Sequence, residues 1–468
     1  MFIGREEELN ILNEKYNSNN FEFFVMIGRR RIGKTTLLRE FCKNKDYIFF
    51  SAKEESKKLS IDNFSRTLNE YLGYHNSSSS FESFEALFKE IYIRFKDKRM
   101  IIVIDEFPYV ANADKSLMST LQHLIDHKFK ETKMFFIICG SSISFMEKKV
   151  LSYKAPLYGR RTGQIRLKAS SFKDSMKYMP NFSNEQKVIA YSIMGGTPKY
   201  LELLDDKKSI KQNITNNFID TFGSLFEEPI NLLKQELREP TLYNSIIEAI
   251  ATGYTKINDI AMKIGEEKDK TAKYIGQLIE LQIVNKEIPV TEENNSKKTI
   301  YSLADDMFKF WYKFIYKNIA SIGIIDKDVL YTEAIEPYLN DYVGKTFEAI
   351  CKEHMQTKNK NLELPFPFLK IGRWWGNNRK TKSEEEIDLV AFNKNKAYFV
   401  ECKWRNQKTG IRELNDLKRK SELFNEFTNN IYVLYSKSGF DKELIELVKN
   451  DSTVMLYDLD DICYTKQG

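Results

Sequence analysis

The sequence predicts a multidomain α/β protein, and three observations carry that prediction. Short, wholly apolar runs at 23–27, 100–104 and 134–139 have the length and composition of buried parallel strands. Segments with helical periodicity separate these runs. At 468 residues the chain is too long for one hydrophobic core, so about three domains are expected.

Composition narrows the class of protein. With 42% hydrophobic and 29% charged residues, the chain should fold as a soluble protein rather than remain disordered. A net charge of +6 permits contact with nucleic acid without requiring it. The sequence has no apolar stretch long enough to predict a membrane span, and its N-terminus lacks the layout of a signal peptide. The five scattered cysteines fit a reducing, cytoplasmic location without structural zinc.

The strongest motif is a phosphate-binding loop that follows the first apolar run and leads into a helix. Its residues are Gly28, Arg29, Arg30, Arg31, Ile32, Gly33, Lys34, Thr35 and Thr36. Backbone N–H groups of such a loop and the helix N-terminus bind polyphosphate. Lys34 would reach the β- and γ-phosphates, and the Thr35 hydroxyl would bind Mg²⁺. The motif predicts binding of a nucleoside triphosphate, with ATP and Mg²⁺ as cofactors.

Two further strand ends add candidate residues for hydrolysis. The second apolar run ends in Asp105 and Glu106, which predicts that Asp105 lies beside Thr35 in the Mg²⁺ shell and that Glu106 polarises the attacking water. The third run leads to Ser141, which either senses the γ-phosphate or caps the next helix. A turn carrying Arg160 and Arg161 either stabilises the transition state or is a surface arginine pair.

The middle of the chain has the pattern of a winged helix-turn-helix: three short helices from residue 241 onward, then a hairpin with a polar turn at 292–298. Exposed lysines on or beside the third helix would suit DNA phosphates; they are Lys263, Lys268, Lys270 and Lys273. Gln277 is one of few side chains suited to reading bases, so sequence-specific readout is doubtful. The alternative is a module that serves only protein packing or the relay of nucleotide state. The aromatic-rich segment 306–316 is predicted to be a buried connector.

Near the C-terminus, two predicted strands place acidic and basic residues together. Glu401 and Lys403 are two apart and therefore share a face of their strand, and Asp388 on the neighbouring strand joins them. Two carboxylates of this kind hold Mg²⁺, and a lysine orients or deprotonates the water that attacks a phosphodiester. A preceding helix carries Glu348. Four basic residues near the hairpin would suit a phosphate backbone, although a solvated loop is the usual explanation; they are Arg373, Arg379, Lys380 and Lys382.

The first half of the chain resembles the archaeal-type ATPase family, a branch of the AAA+ and STAND-related P-loop ATPases. The matching segments are residues 2–9, 28–35, 104–107, 139–142, 156–161 and 195–201. The resemblance implies a small helical lid after Arg161, with the Gly-Gly-Thr-Pro turn facing the nucleotide. It also implies that Gly4 and Arg5 lie near the adenine. Arg160 or Arg161 would act across a subunit interface, which implies a homo-oligomer.

The C-terminal region resembles the restriction-endonuclease-like PD-(D/E)xK fold in the version attached to archaeal-type ATPases. Residues 372–375, 386–388 and 401–404 carry this second match. It implies that Asp388 and Glu401 are metal ligands, that Lys403 is the catalytic lysine and that Glu348 is a supporting acid. Ile387 stands where the pattern has proline, which leaves the ligand itself intact. The alternative is a domain that kept the fold but only binds DNA or protein.

Together these patterns predict five regions: a P-loop ATPase core (1–160), a helical lid (161–235), a winged helix (236–305), a helical connector (306–344) and a nuclease-like α/β domain (345–468). The predicted function is ATP hydrolysis coupled to action on DNA, with nucleotide state controlling the winged helix and a Mg²⁺-dependent nuclease-like domain. The alternative is a STAND-like regulatory switch whose C-terminal domain only binds DNA or protein.

Overall fold

The computed structural model describes residues 2–74, 79–293, 297–378 and 382–464. The chain divides into two compact units, the first comprising Met1–Ser170 with Thr197–Lys199 and the second Ser171–Gly196 with Tyr200–Gly468. Within the described ranges, none of the helices combines the length and the apolar character needed to cross a bilayer.

The first unit is built around a five-stranded, all-parallel sheet. Its strands are β1 (Glu22–Ile27), β2 (Tyr47–Ser51), β3 (Ile101–Asp105), β4 (Phe135–Gly140) and β5 (Gly163–Arg166). They lie in the order β2-β3-β4-β1-β5. The three apolar runs are therefore neighbouring strands, and the predicted parallel sheet is confirmed. The carboxyl ends of β1, β3 and β4 meet at one edge, which is where an open α/β sheet binds its ligands.

Helices cover both faces of this sheet. They are α1 (Glu6–Asn17), α2 (Lys34–Cys42), α3 (Lys57–Tyr71), α4 (Phe84–Phe95), α5 (Phe107–Ala113), α6 (Leu117–His127) and α7 (Ile143–Phe145). Alternate residues of β1 pack into two different hydrophobic clusters, one on each face of the sheet, because successive side chains of a strand point to opposite faces. Phe23 packs in a cluster with Phe64 and Phe88, whereas Phe24 packs in a cluster with Phe41. A sheet buried on both faces explains why its strands are continuously apolar.

The second unit begins with helices, and one short helix crosses the boundary between the units. These helices are α8 (Phe172–Ser175), α9 (Asn184–Met194), α10 (Pro198–Leu201), α11 (Ile210–Ile214), α12 (Glu228–Glu236), α13 (Pro240–Ala251), α14 (Ile257–Ile264) and α15 (Lys268–Glu280). An antiparallel hairpin of β6 (Val284–Glu287) and β7 (Ile300–Leu303) follows. The α14 helix ends before Gly265, whose φ of 72° is left-handed and suits glycine. Three helices and a hairpin thus occupy the stretch where the sequence indicates them.

Aromatic side chains after the hairpin are buried in the core of the second unit. The helices here are α16 (Asp306–Phe310), α17 (Lys327–Ala334) and α18 (Glu336–Lys360). Phe308, Phe310 and Trp311 have no exposed surface, and Trp311 Nε1 donates to the Phe226 carbonyl at 2.7 Å. Because the rings are buried against their own chain, they are not available for stacking on bases.

The C-terminal part of the second unit contains a mixed five-stranded sheet. Its strands are β8 (Lys370–Asn378), β9 (Ser383–Asn393), β10 (Lys396–Lys403), β11 (Asn429–Ser436) and β12 (Val454–Tyr457), and its later helices are α19 (Ile411–Ser421), α20 (Lys442–Lys449) and α21 (Leu459–Cys463). The order is β12-β11-β10-β9-β8, with β9 antiparallel to both neighbours and the rest parallel. The predicted strands around Asp388 and Glu401 are therefore adjacent.

Candidate functional site: a phosphate loop and an acidic cluster

The loop between β1 and α2 is shaped by backbone positions that need glycine. A Cβ atom on Gly28 would lie 2.7 Å from the Leu167 carbonyl oxygen, so no larger residue fits. Arg31 and Gly33 have left-handed φ angles of 72° and 87°. These turns bring the chain into α2 at Lys34, so the N-terminus of the helix follows the loop directly, at the carboxyl end of β1.

The lysine and the first threonine of the motif make the contacts that define this site. The buried Lys34 Nζ donates to the Arg29 carbonyl oxygen at 2.9 Å. Thr35 Oγ1 donates to Asp105 Oδ2 at 2.6 Å, and Asp105 is itself buried at the end of β3. The two residues predicted to share a Mg²⁺ shell are therefore in direct contact. Ile32 of the loop is buried, whereas Thr36 is exposed.

Glu106 and Ser141 form a second contact at the same edge. Glu106 has a left-handed φ of 52°, which turns its side chain out of the strand direction. Ser141, after β4, donates to Glu106 Oε2 from both its N–H, at 3.2 Å, and its hydroxyl, at 2.7 Å. The N-cap residue of the next helix is Ser142, whose side chain makes no capping hydrogen bond. Sensing of the γ-phosphate by Ser141 stays a prediction. The two hydrogen bonds from Ser141 hold the Glu106 carboxylate, which is predicted to orient the attacking water.

The arginines of the loop contact side chains that the sequence did not indicate. Arg29 Nη2 donates to Thr197 Oγ1 at 3.0 Å, and Arg30 Nη2 donates to the Tyr109 hydroxyl at 2.8 Å. Pro198 lies 3.8 Å from the position that a Cβ atom on Gly33 would take. Thr197 and Pro198 of the Gly-Gly-Thr-Pro turn are thus against the loop. No local pattern in the sequence pairs them with these arginines.

Of the other residues that the resemblance placed near the nucleotide, Arg5 is beside the loop. Its guanidinium donates to the carbonyl oxygens of Ile32, at 3.3 Å, and Lys168, at 2.6 Å. Gly4 and Arg5 both have left-handed φ angles, of 71° and 70°. Arg5 therefore links the start of α1 to the loop and to the end of β5.

The arginine pair is partly engaged in contacts within the chain. Arg160 makes two-pronged hydrogen bonds to Asp126, with Nη2 2.7 Å from Oδ2, and also donates to the Pro156 carbonyl at 2.9 Å. Hydrogen bonding from Arg160 lowers the pKa of Asp126. Arg161 is half-buried. Bidentate pairing holds Arg160 in one orientation, because the planar guanidinium matches both carboxylate oxygens.

The second cluster lies on the C-terminal sheet. Asp388 Oδ2 accepts a 2.8 Å hydrogen bond from the Cys402 N–H of the adjacent strand. Lys403 Nζ donates to Glu401 Oε1, so these two side chains do share a face as predicted. Glu348, on α18, pairs with Lys345 at 3.0 Å.

Asp388 lies close enough to two other acids for their charges to act on it. Burial raises the pKa of Asp388 to about 7, and the charges of Glu401 and Glu348 add to the rise. Burial likewise raises the pKa of Glu348. Burial alone would lower the pKa of Lys403, but the charges of Glu401 and Asp388 outweigh it and the pKa rises. Within the described ranges, no group of three or more His, Cys, Asp or Glu side chains is arranged to hold a metal ion.

Basic residues around the cluster include some that sequence reasoning missed. Lys420 of α19 lies 3.9 Å from Glu401 Oε2, and no sequence spacing relates a residue of that helix to β10. Arg373 contacts Glu348 and Glu386 rather than facing solvent. In the sequence, the signal that pointed to Arg373 was its place in the Gly-Arg-Trp-Trp motif at 372–375. Lys382 is exposed, and Arg379 and Lys380 lie outside the described residues.

Comparison with known proteins identifies the family. Residues 2–204 match a family described as an ATPase domain predominantly from Archaea, and residues 311–447 match a family described as Archaea bacterial proteins of unknown function. An uncharacterized protein of Methanocaldococcus jannaschii is 38% identical over 476 residues, covering 98% of this chain and 100% of the relative.

Solved structures are similar to this chain at low sequence identity. The Walker-type ATPase of Pyrococcus abyssi has 18% identity and a TM-score of 0.50, covering 66% of this chain and 96% of that one. The ORC2 protein of Aeropyrum pernix, in ADPNP–ADP complexes, has 12% identity and a TM-score of 0.40, covering 72% and 92%. The phosphate loop on its parallel sheet, the matched ATPase domain and the full-length relative lead to one conclusion: this chain is an ATP-binding protein that belongs to the family of P-loop ATPases found predominantly in Archaea.

Proposed function

We propose that this protein hydrolyses ATP with Mg²⁺ and uses its nucleotide state to control a DNA-binding winged helix (236–305) and a nuclease-like domain (345–468). For the nucleotide site, the contact between Thr35 and Asp105 supports the proposal. Hydroxyl and carboxylate oxygens are the ligands that Mg²⁺ prefers, so these two residues fit the ion. Mg²⁺ neutralises charge on the β- and γ-phosphates when it is bound.

Four other residues of the nucleotide site are given roles in this proposal. Lys34 exchanges its hydrogen bond to the Arg29 carbonyl for one to the phosphates. Glu106 orients the water that attacks the γ-phosphate, and Ser141 holds the Glu106 carboxylate through its N–H and hydroxyl. Arg5 stabilises the loop from the adenine side.

Contact with DNA is assigned to α15 and its surroundings. Lys263, Lys268 and Lys273 are exposed, while Lys270 is exposed but paired with Glu266 at 2.9 Å. Gln277, the side chain suited to reading a base, bonds instead to the Tyr243 hydroxyl. This pattern favours binding to phosphates over reading of sequence.

The observation that carries the nuclease part of the proposal is the convergence of Asp388, Glu401 and Glu348 beside Lys403. Repulsion of Asp388 by the two neighbouring carboxylates is relieved by a divalent cation, and carboxylate oxygens suit Mg²⁺ or Mn²⁺. Such an ion supplies Lewis-acid stabilisation to a phosphodiester when bound. Asp388 and Glu401 would hold it, Glu348 would support them, and Lys403 would orient the water.

A second candidate function is favoured by one specific observation. Two of the three acids in the cluster are already paired within the chain, since Glu401 pairs with Lys403 and lies near Lys420, and Glu348 pairs with Lys345. A domain arranged in this way suits a STAND-like switch, in which the C-terminal domain binds DNA or protein without cutting and ATP holds one conformational state.

Cleavage of plasmid and oligonucleotide DNA with Mg²⁺ or Mn²⁺, with and without ATP, tests the proposal. Wild type would be compared with Asp388→Ala and Lys403→Ala, and with Glu384→Ala as a control because Glu384 is an exposed carboxylate on the same strand. We expect cutting that the first two substitutions abolish and the control retains. Absence of cutting, or cutting that survives both substitutions, would favour the switch; DNA-stimulated ATP hydrolysis would still support action on DNA.

A further inference from the structure

Arg373 occupies an irregular position at the edge of the C-terminal sheet. The pairing of β8 with β9 shifts register between Gly372 and Trp374, so that Arg373 stands opposite two residues of β9, Asp388 and Leu389, and the extra residue of the β-bulge is in β9. Within the described residues, β8 is the last strand in the sheet order, so one of its sides pairs with no other strand. Bulges are common beside functional sites.

The segment that follows β6 covers this edge at the bulge. The Val290 N–H donates to the Arg373 carbonyl oxygen at 2.9 Å. A Cβ atom on Gly372 would lie 3.2 Å from Val290 Cβ, so the two backbones approach closely. The hairpin module and the C-terminal sheet are thus joined by a backbone hydrogen bond at Arg373, the residue opposite the bulge.

The guanidinium of Arg373 contacts carboxylates from three different elements. Nη1 lies 3.2 Å from Glu287 Oε2 on β6, Nε lies 3.9 Å from Glu348 Oε2 on α18, and Nη2 donates to Glu386 Oε1 on β9. Lys345 adds a second cation, 3.0 Å from Glu348 and 3.6 Å from Glu386. One side chain therefore bridges the hairpin and the acidic cluster, and the rigid fork of arginine permits this where lysine could not.

We infer that Arg373 is a tether that couples the hairpin of β6 and β7 to the acidic cluster, so that loss of its contact with Glu287 weakens the binding of a divalent cation at that cluster. The second half of this inference rests on the proposed metal site. With Glu287 in place, the positive charge of Arg373 is shared among three carboxylates. Without it, that charge acts mainly on Glu348 and Glu386, and it opposes a cation at the neighbouring Asp388 and Glu401.

The first test measures the tether without any metal, by hydrogen–deuterium exchange at Val290 in the full-length chain. Glu287→Gln and Arg373→Lys should each raise the exchange rate of the Val290 amide by at least about threefold, the effect expected for loss of a partly buried ion pair. Glu293→Gln is the matched control, because it makes the same change of charge on an exposed residue of the same connection. Equal protection of Val290 in all four proteins would overturn the inference.

The second test measures the coupling by titrating metal-free protein with Mn²⁺ and detecting the free ion by electron paramagnetic resonance. Glu287→Gln should bind Mn²⁺ at least about threefold more weakly than Glu293→Gln, since an unbalanced positive charge repels the ion. Asp388→Asn identifies which binding belongs to the acidic cluster. Equal affinities in Glu287→Gln and Glu293→Gln would overturn the coupling. If wild type binds no more Mn²⁺ than Asp388→Asn, the proposed metal site fails, and the Val290 exchange alone decides the tether.

Discussion

The Thr35 hydroxyl donates a 2.6 Å hydrogen bond to Asp105 Oδ2, although 70 residues separate them in sequence. Thr35 is the second residue of α2 and Asp105 ends β3. In the sheet order, β4 lies between β3 and β1, the strand that precedes the loop. The polar ends of these parallel strands meet at one edge, which brings hydroxyl and carboxylate together. If the proposed function is correct, this contact holds both oxygens where a divalent ion that accompanies ATP would bind.

Substitution of Thr35 or of Asp105 should greatly slow ATP hydrolysis, because both residues are proposed to bind the same ion. We expect Thr35→Ala and Asp105→Ala each to lower kcat for ATP by at least about 100-fold, because both would remove a ligand of the same ion. The double variant should be little worse than either single one, since residues that act as a unit are not additive.

Steady-state ATP hydrolysis measures these effects, and Thr67→Ala is the matched control. Its hydroxyl donates to the Asn63 carbonyl within α3, so the substitution removes a comparable hydrogen bond away from the loop. Independent, additive losses in the double variant would contradict a shared ion.

Ser141 should affect the rate of hydrolysis more than the binding of nucleotide. Its hydroxyl contributes one of two donors to Glu106 Oε2, and the backbone N–H remains in Ser141→Ala. We expect kcat to fall about tenfold while affinity for ATP stays within about twofold, because the substitution removes one of two positioning hydrogen bonds. Glu106→Gln should lose far more activity. A change confined to ATP affinity in Ser141→Ala would show instead that this serine contacts the phosphates.

The first unit was more predictable from sequence than the acidic cluster, and the reason is physical. A phosphate loop needs glycine at Gly28 and Gly33 and a fixed spacing to Lys34, so local sequence specifies its shape, and a parallel sheet then brings Asp105 to it. Contacts such as Arg29 with Thr197 and Glu401 with Lys420 depend on how distant elements pack. Sequence periodicity assigns a residue to a face but does not name the residue opposite it.

The raised pKa of Asp388 predicts how stability depends on pH. Its folded-state pKa of about 7 exceeds the ordinary value of 3.8, because burial and neighbouring acids disfavour the charged form. The folded state therefore holds more protons than the unfolded state between these values, and stability falls as pH rises from about 4 to about 7. Asparagine does not ionise, so the Asp388→Asn variant should not lose this stability as pH rises. We expect the variant to be more stable than wild type at pH 8 by a few kcal/mol at most, because each tenfold difference between the two acid constants corresponds to about 1.4 kcal/mol.

Urea unfolding in the absence of metal at several pH values measures the difference between Asp388→Asn and wild type. The gain should shrink toward zero near about pH 3, where the aspartate is protonated in most of the population in both states. Glu384→Gln, an exposed change on the same strand, should show no such trend. A gain independent of pH would indicate that the asparagine side chain improves packing or hydrogen bonding and that Asp388 ionises normally.

Lysines of α15 should contribute to DNA affinity without contributing to sequence preference. Lys268, Lys270 and Lys273 are exposed, and Gln277 is engaged with Tyr243. Removal of one lysine that binds a phosphate should reduce the slope of log K against log salt concentration by about 0.9, because fewer counterions are released on binding. Replacing all three lysines with alanine should therefore lower the slope by about 2 to 3 and weaken binding equally for unrelated duplexes.

Fluorescence anisotropy across a salt series measures both effects, with the exposed pair Lys442→Ala and Lys449→Ala of α20 as a control. An unchanged slope in the α15 variant would assign this helix to packing or to the relay of nucleotide state, and a weakening restricted to one duplex would mean that it reads bases after all.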